Sequence, residues 1–263
     1  MTLIYYAMGG GLGHLTRARA FLHTLGLEGD AVIVAESPFA GDRRVVGDIP
    51  VLRERPEGPL VLDTFPAGLF GEIEGGRADY VARYVRWDRY ALPANPPRIG
   101  RAYILEPLHP EQERYVRERA EEVIEDFELI DPPASQDLPP LPPAYALVIH
   151  SGPPEENEEL LAYAREVCRE EGVTDPIVAP DVYPATLIAA NATRIFTGGG
   201  FNAMRQFGRD ARHRPLPFER RFDDQYARVA RFATPTCSAP RTRRSPGARP
   251  AAARTTGTSA RRS

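Results

Sequence analysis

The chain has 263 residues, 42% of them hydrophobic and 26% charged, with two cysteines and a formal net charge of −3. That length can bury one large core or two small ones, and the composition excludes a fibrous repeat or wholesale disorder. No apolar run approaches the roughly 20 residues that span a bilayer. The N-terminus lacks a signal peptide's basic stretch and cleavage site, so the expected setting is cytoplasmic, with nothing to indicate peripheral membrane contact.

All 33 basic residues are arginine, so chemistry that needs a lysine amine, such as a Schiff base or a Walker-type phosphate lysine, is excluded. Seven of these arginines lie beyond Ala233 with no acid among them, which leaves 26 against 36 acids elsewhere. Such an acidic body does not suit nucleic-acid binding. Cys168 falls in a helical pattern and Cys237 in a polar tail, contexts that speak against a disulfide framework or a zinc site.

Residues 3–7 form a short apolar run that breaks into Gly9-Gly10-Gly11-Leu12-Gly13, after which Leu15, Ala18, Phe21, Leu22 and Leu25 recur at helical spacing. This predicts strand, glycine loop, helix. A buried-strand run at 31–35 completes a βαβ unit and predicts a parallel sheet with right-handed crossover. Further short strands are expected at 49–52 and 61–63. Residues 80–90 have helical character, ended by the proline cluster at 93–97. A charged, exposed helix is expected over 111–127.

The prolines at 132–133, 139–140 and 142–143 cannot continue a helix or sit in a central strand, so 132–143 reads as an interdomain linker. The pattern then restarts, with a strand at 145–149, a loop at 150–154, a helix at 155–170 and a strand near 176–179. A helix near 185–191, a strand at 193–197 and a second glycine turn, Gly198-Gly199-Gly200, follow and open another helix. The expected fold is therefore α/β with two Rossmann-like domains, 1–131 and 144–232. Residues 233–263 lack the apolar surface to offset their ordering entropy and are expected to be disordered. Their composition also fits a shifted reading frame in a GC-rich gene.

A glycine-rich turn between a strand and a helix lets the backbone approach a ligand and aims amide groups at an anion, most often phosphate. The first loop misses the dinucleotide spacing, because with Gly9 and Gly11 in the first two places the third falls on His14. A nicotinamide or flavin cofactor is accordingly disfavoured and none is expected. The plain alternative for Gly9 to Gly13 is a tight turn with no ligand. His14, at the mouth of the loop, suits proton abstraction from a hydroxyl and equally suits capping the helix.

Gly9-Gly10-Gly11-Leu12-Gly13-His14 resembles the glycine loop and histidine of the N-domain in the peptidoglycan-type N-acetylglucosaminyltransferases, members of glycosyltransferase family 28. Residues 193–202, with Gly198-Gly199-Gly200-Phe201-Asn202, resemble their donor-site strand and turn. Pro215-Leu216-Pro217-Phe218 followed by Phe222-Asp223-Asp224-Gln225 is similar to the next segment of that domain. The resemblance spans about residues 1–231 and is firm only at these patches.

It implies a GT-B enzyme, inverting and metal-independent, that moves a sugar from a nucleotide diphosphate donor to an acceptor hydroxyl on a glycan, lipid or small molecule. A uridine diphosphate sugar such as the N-acetylglucosamine derivative is the implied donor. Ser151, Gly152, Gly198, Gly199 and Gly200 would contact the diphosphate, Asn202 belongs to the same turn, Asp224 and Gln225 would bind sugar hydroxyls, and His14 would be the base. Helix N-termini and backbone amides would stabilise the leaving group. The plain alternative for Asp223 to Gln225 is a helix N-cap with a polar first turn.

Two departures stand out. Gln206 occupies the place where the family has a ribose-binding glutamate, which loses a charge-assisted contact. The family's closing C-terminal helix has no counterpart after Arg231, so the C-terminal domain is expected to be incomplete. A nucleotide-sugar epimerase or hydrolase, and a non-catalytic nucleotide-sugar-binding relic, remain open alternatives.

Overall fold

A computed structural model describes residues 1–9, 11–133, 140–179 and 184–232. Gly10, the central linker residues 134–139 and the tail expected to be disordered lie outside the described residues.

The first sheet has seven parallel strands: β1 (Leu3–Tyr6), β2 (Ala31–Val34), β3 (Val51–Leu52), β4 (Leu60–Asp63), β5 (Arg77–Ala82), β6 (Arg98–Ile104) and β7 (Ala120–Ile124). Their spatial order is β3-β2-β1-β4-β5-β6-β7. Successive side chains of a strand point to opposite faces, and β1 shows this directly. Tyr5 joins a core cluster with Phe21 and Leu22 of α1 (Leu12–Thr24), whereas Ile4 and Tyr6 join a second cluster with Leu62 and Tyr80. Burial on both faces explains why the central strands read as continuous apolar runs. The short α2 (Arg43–Val46) and α3 (Pro110–Arg119) complete this part.

The second sheet has four parallel strands: β8 (Tyr145–Ile149), β9 (Pro176–Val178), β10 (Ala192–Gly198) and β11 (His213–Leu216), in the order β11-β10-β8-β9. Its longest helix, α4 (Pro154–Glu171), starts with proline in its first turn and ends on Gly172 at φ 66°. The left-handed C-cap is a conformation that favours glycine. Leu160, Ala164 and Cys168, spaced by one helical turn, face the sheet. The helices α5 (Thr186–Ala189), α6 (Phe201–Phe207) and α7 (Gln225–Phe232) follow.

Two expectations are corrected, and one strand is added. The segment 80–90 is not helical: Tyr80 to Ala82 belong to β5, and only Trp87–Arg89 makes a single 3-10 turn. The i, i+4 pairs Tyr80/Tyr84 and Val81/Val85 imitate a helix face, but β5 lies hydrogen-bonded between β4 and β6 and its apolar residues serve both faces. Strand β6, directly after the proline cluster, had no sequence-based expectation. The helix expected over 111–127 ends at Arg119, and the chain continues at once into β7. As an edge strand, β7 tolerates the exposed Glu121 and Glu122 that made the segment look helical and solvated.

Both sheets lie in one compact unit, Met1–Phe232. Phe201 of α6 is buried in the core cluster of the first sheet, and Arg205 of α6 donates to the Leu129 carbonyl and pairs with Asp131. No helix among the described residues is long and apolar enough to cross a membrane.

Candidate functional site

In an open parallel sheet, ligands collect outside the carboxyl ends of the strands where the strand order reverses direction. In the first sheet that point falls between β1 and β4, and in the second between β8 and β10. Both glycine turns sit at such points.

At the first, the chain leaves β1 through the glycine loop into α1. Gly11 is the N-cap in an extended conformation; it offers no side-chain cap, and the first turn of α1 contains no acid. A Cβ at Gly9 would lie 2.2 Å from the Nε2 of His14, so only a glycine leaves room for the imidazole to lie across the loop. Gly9 and Gly11 are exposed, and Gly13 is half-buried beside Asn202.

The neighbouring strand β4 delivers Asp63, whose carboxylate is buried and densely bonded. Its Oδ1 accepts from the Tyr5 hydroxyl at 2.9 Å and from Arg17 Nε at 2.7 Å, and its Oδ2 accepts from Arg17 Nη2 at 2.5 Å. Although burial works against the charged form, Arg17 and His14 hold the Asp63 carboxyl far below the usual carboxylate range. An unprotonated carboxylate can only accept, so the 2.6 Å contact between His14 Nδ1 and Asp63 Oδ2 places the proton on Nδ1. The lone pair of the ring is then on Nε2. Burial pushes the His14 imidazole below its ordinary value, with Asp63 opposing, so the ring is neutral at pH 7. An oriented, neutral imidazole with a lone pair at a strand-end crevice can take a proton from a hydroxyl.

Thr64, the next residue, has φ 67°, and Phe65 N donates back to Asp63 O at 2.7 Å. That is a three-residue turn with a β-branched residue in the left-handed region, a strained arrangement of the sort that concentrates at working sites. Thr64 Oγ1 accepts from Arg17 Nη2 at 2.9 Å and from Arg83 Nε at 3.0 Å.

The polar chain continues to the second half. Arg83 Nη1 lies 3.4 Å from Asp223 Oδ1; Arg228 donates to both Asp223 oxygens, at 2.6 and 2.9 Å, and to both Glu106 oxygens at 2.8 Å. Arg83 and Arg228 hold the Asp223 carboxyl down at about 2 despite its burial.

At the second crevice, Ser151 is exposed and Gly152 half-buried at the end of β8, facing the turn Gly198 to Gly200 at the end of β10. His150 fills the space between them: a Cβ at Gly152 would lie 2.2 Å from its Nε2 and one at Gly198 2.9 Å from its Cε1. The His150 ring packs on Phe218 with centroids 5.0 Å apart, and its Nε2 lies 2.8 Å from Glu156, which also pairs with Arg220. The amide of Gly199 donates to Gln225 Oε1 at 3.0 Å, an oxygen that also accepts from Phe218 N at 3.0 Å. Asp224 Oδ1 accepts from Ala227 N at 2.9 Å and so caps α7. Gln206 Nε2 donates to Asp131 Oδ2 at 3.0 Å, and Asn202 Nδ2 donates to Gly13 O at 3.0 Å and Thr16 Oγ1 at 2.6 Å. Asn202 and Gln206 thus tie α6 to the first half, while Gln225 and Asp224 organise α7 and the second glycine turn.

Sequence reasoning did not single out Asp63, Arg17, Thr64 or Arg83. Two signals were available: Arg17 follows His14 by one helical turn, and Asp63 is an acid at the carboxyl end of a fully apolar strand. Among the described residues no group of histidine, cysteine and acidic side chains is arranged to hold a metal ion. No family model matches the chain, and neither the curated proteins nor the solved structures contain a match to it.

Proposed function

We propose that the chain is a GT-B-type glycosyltransferase that moves a sugar from a nucleotide diphosphate donor to an acceptor hydroxyl, with His14 as the base and Asp63 as its positioning residue. The observation that carries this reading is the His14–Asp63 pair, with its Nε2 lone pair at the carboxyl edge of a parallel sheet. The Asn202–Gly13 bond supports it, because it holds the start of α6, just after the second glycine turn, against the loop that carries His14. In this reading the acceptor hydroxyl gives its proton to His14 Nε2 as its oxygen attacks the anomeric carbon, and the nucleoside diphosphate leaves from the opposite face. The donor is a uridine diphosphate sugar held near Ser151, Gly152 and Gly200.

One observation favours a second reading, a nucleotide-sugar-binding relic without turnover. The Gly199 amide is already satisfied by Gln225, and His150 with Glu156 occupies the space between the two loops. One experiment separates the readings: incubate the purified chain with uridine diphosphate sugars, with and without an acceptor alcohol panel, and follow nucleoside diphosphate release. Acceptor-dependent release that falls by about 10²–10⁴-fold in His14→Ala supports transfer. Acceptor-independent release shifts the reading to a hydrolase or epimerase, and saturable binding with no release shifts it to the relic.

A further inference from the structure

The buried polar chain between the two halves is built on three arginines and three acids. Arg17, Arg83 and Arg228 face the carboxylates of Asp63, Asp223 and Glu106, and Arg231, a third exposed, reaches Glu106 from the rim. The three acids are not shared evenly. Arg17 takes Asp63 through two nitrogens, and Arg228 takes both Asp223 and Glu106. Arg83 is left with one hydrogen bond, Nε to Thr64 Oγ1, and a looser 3.4 Å share of an oxygen that Arg228 already holds at 2.6 Å.

Its side chain is 11% exposed, so the guanidinium is largely desolvated. Burial lowers the pKa of Arg83, Asp223 opposes that, and the guanidiniums of Arg17 and Arg228 add to the lowering. A planar guanidinium with unused donors in a low-dielectric crevice is a strong partner for a planar or tetrahedral oxyanion.

A second observation points to the same crevice. The first turn of α1 has no side-chain cap and no acid, and a Cβ at Gly11 would meet nothing within 4 Å. Open space therefore adjoins a helix end whose dipole favours an anion. His14 lies in that turn and is linked to Arg83 through Asp63, Arg17 and Thr64, since Asp63 accepts from both His14 and Arg17, and Thr64 accepts from both arginines.

We propose that Arg83 is an anion-binding residue of this crevice, taking a phosphate or carboxylate oxyanion of the substrate and setting it beside the Nε2 of His14. The inference deepens the transfer reading and rests on it for what the anion belongs to: the donor's diphosphate or an acidic acceptor. Binding of the anion uses the donors of Arg83 that Thr64 and Asp223 leave over, and it fixes the substrate relative to the base.

The test uses inorganic phosphate as the probe, at constant ionic strength. Its binding to the full chain is followed by calorimetry and by the NMR titration of the His14 ring, whose pKa rises when an anion sits beside it. The wild type is expected to bind saturably. Arg83→Gln should weaken binding on the order of tenfold or more and abolish the His14 shift, while the variant stays folded, with a lower melting temperature, because Asp223 keeps Arg228. No saturable binding by the wild type, or equal binding by Arg83→Gln, overturns the proposal. If Arg83→Gln does not fold, Arg83→Lys decides: weakened binding supports the planar-fork site and unchanged binding overturns it.

A parallel titration with uridine diphosphate distinguishes the sources. Loss of its affinity in Arg83→Gln assigns the anion to the donor; retention, with phosphate binding lost, assigns it to an acidic acceptor. Phosphate binding at Arg83 without any turnover would leave this site standing while the transfer reading falls.

Discussion

The Arg228 guanidinium spans 122 residues of sequence to meet the Glu106 carboxylate, through two hydrogen bonds of 2.8 Å, while also binding Asp223. Arg228 is 1% exposed and makes the shortest contacts of both acids, with Arg83 at 3.4 Å from Asp223 and Arg231 at 3.2 Å from Glu106 as their further partners. Arg228→Met would leave Asp223 with only the looser Arg83 contact and Glu106 with Arg231 and the Tyr84 amide, with a cost of about 2–4 kcal/mol. Urea unfolding monitored by far-UV dichroism reads this directly; a loss below about 1 kcal/mol would show that solvent screens the network as it does at a surface.

The second glycine turn makes opposite predictions for adjacent residues. A Cβ at Gly199 would fall 2.8 Å from Val229 Cγ2, 3.0 Å from Gln225 Cβ and 3.2 Å from the Gln225 carbonyl, whereas one at Gly200 meets nothing within 4 Å. Gly199→Ala should push α7 off the turn and cost about 1–3 kcal/mol. Gly200, at φ −66°, already has a conformation open to any residue, and Gly200→Ala should be neutral or stabilise by about 0.4–1 kcal/mol. Equal stabilities for the two variants in the same urea series would contradict this packing.

Thr64 offers a way to weigh strain against bonding. Thr64→Ala removes the hydroxyl that serves Arg17 and Arg83 but keeps the φ of 67°, while Thr64→Gly also releases the backbone. The glycine variant should therefore be more stable than the alanine one by about 1–2 kcal/mol. The reverse order would mean that the turn is not strained.

Acid should destabilise the protein before its carboxylates titrate. Burial pushes the His213 imidazole down to about 4, so between that value and the unfolded histidine value the unfolded chain binds the additional proton. The lost stability amounts to about 2 kcal/mol on going from pH 7 to pH 5, taking an unfolded pKa near 6.5. The lowered pKa of His14 acts in the same direction, and that of Asp63 takes over as the pH falls below the ordinary carboxylate range. His213→Gln should flatten the pH 7 to 5 limb; an unchanged slope would count against a buried neutral imidazole at that position.

The βα repeats and both glycine turns were legible in the sequence because each is a local pattern: an apolar run, a glycine cluster, then a 3.6-residue period. Strands β5 and β7 were not, because what makes them strands is a neighbour 20 residues away, and their own spacing or charge suits a helix equally well. The same limit applies at the site. His14 could be singled out from the loop it follows, but Asp63 becomes its partner only when β4 lies beside β1, a pairing across 49 residues. Asp223, Asp224 and Gln225 read as a local motif, yet their partners, Arg83, Ala227 and the Gly199 amide, give the three residues different tasks.

Phe201 completes the core around α1, so the first seven strands are not self-sufficient when they leave the ribosome. A chain synthesised only to the proline segment would lack the Phe201 ring under Arg17 and would carry a Glu106 carboxylate with no Arg228, and the missing parts come from about 70 to 100 residues later. Assembly of the first sheet is thus completed after its own sequence is finished, which favours a single cooperative unfolding transition for residues 1–232 over two independent ones.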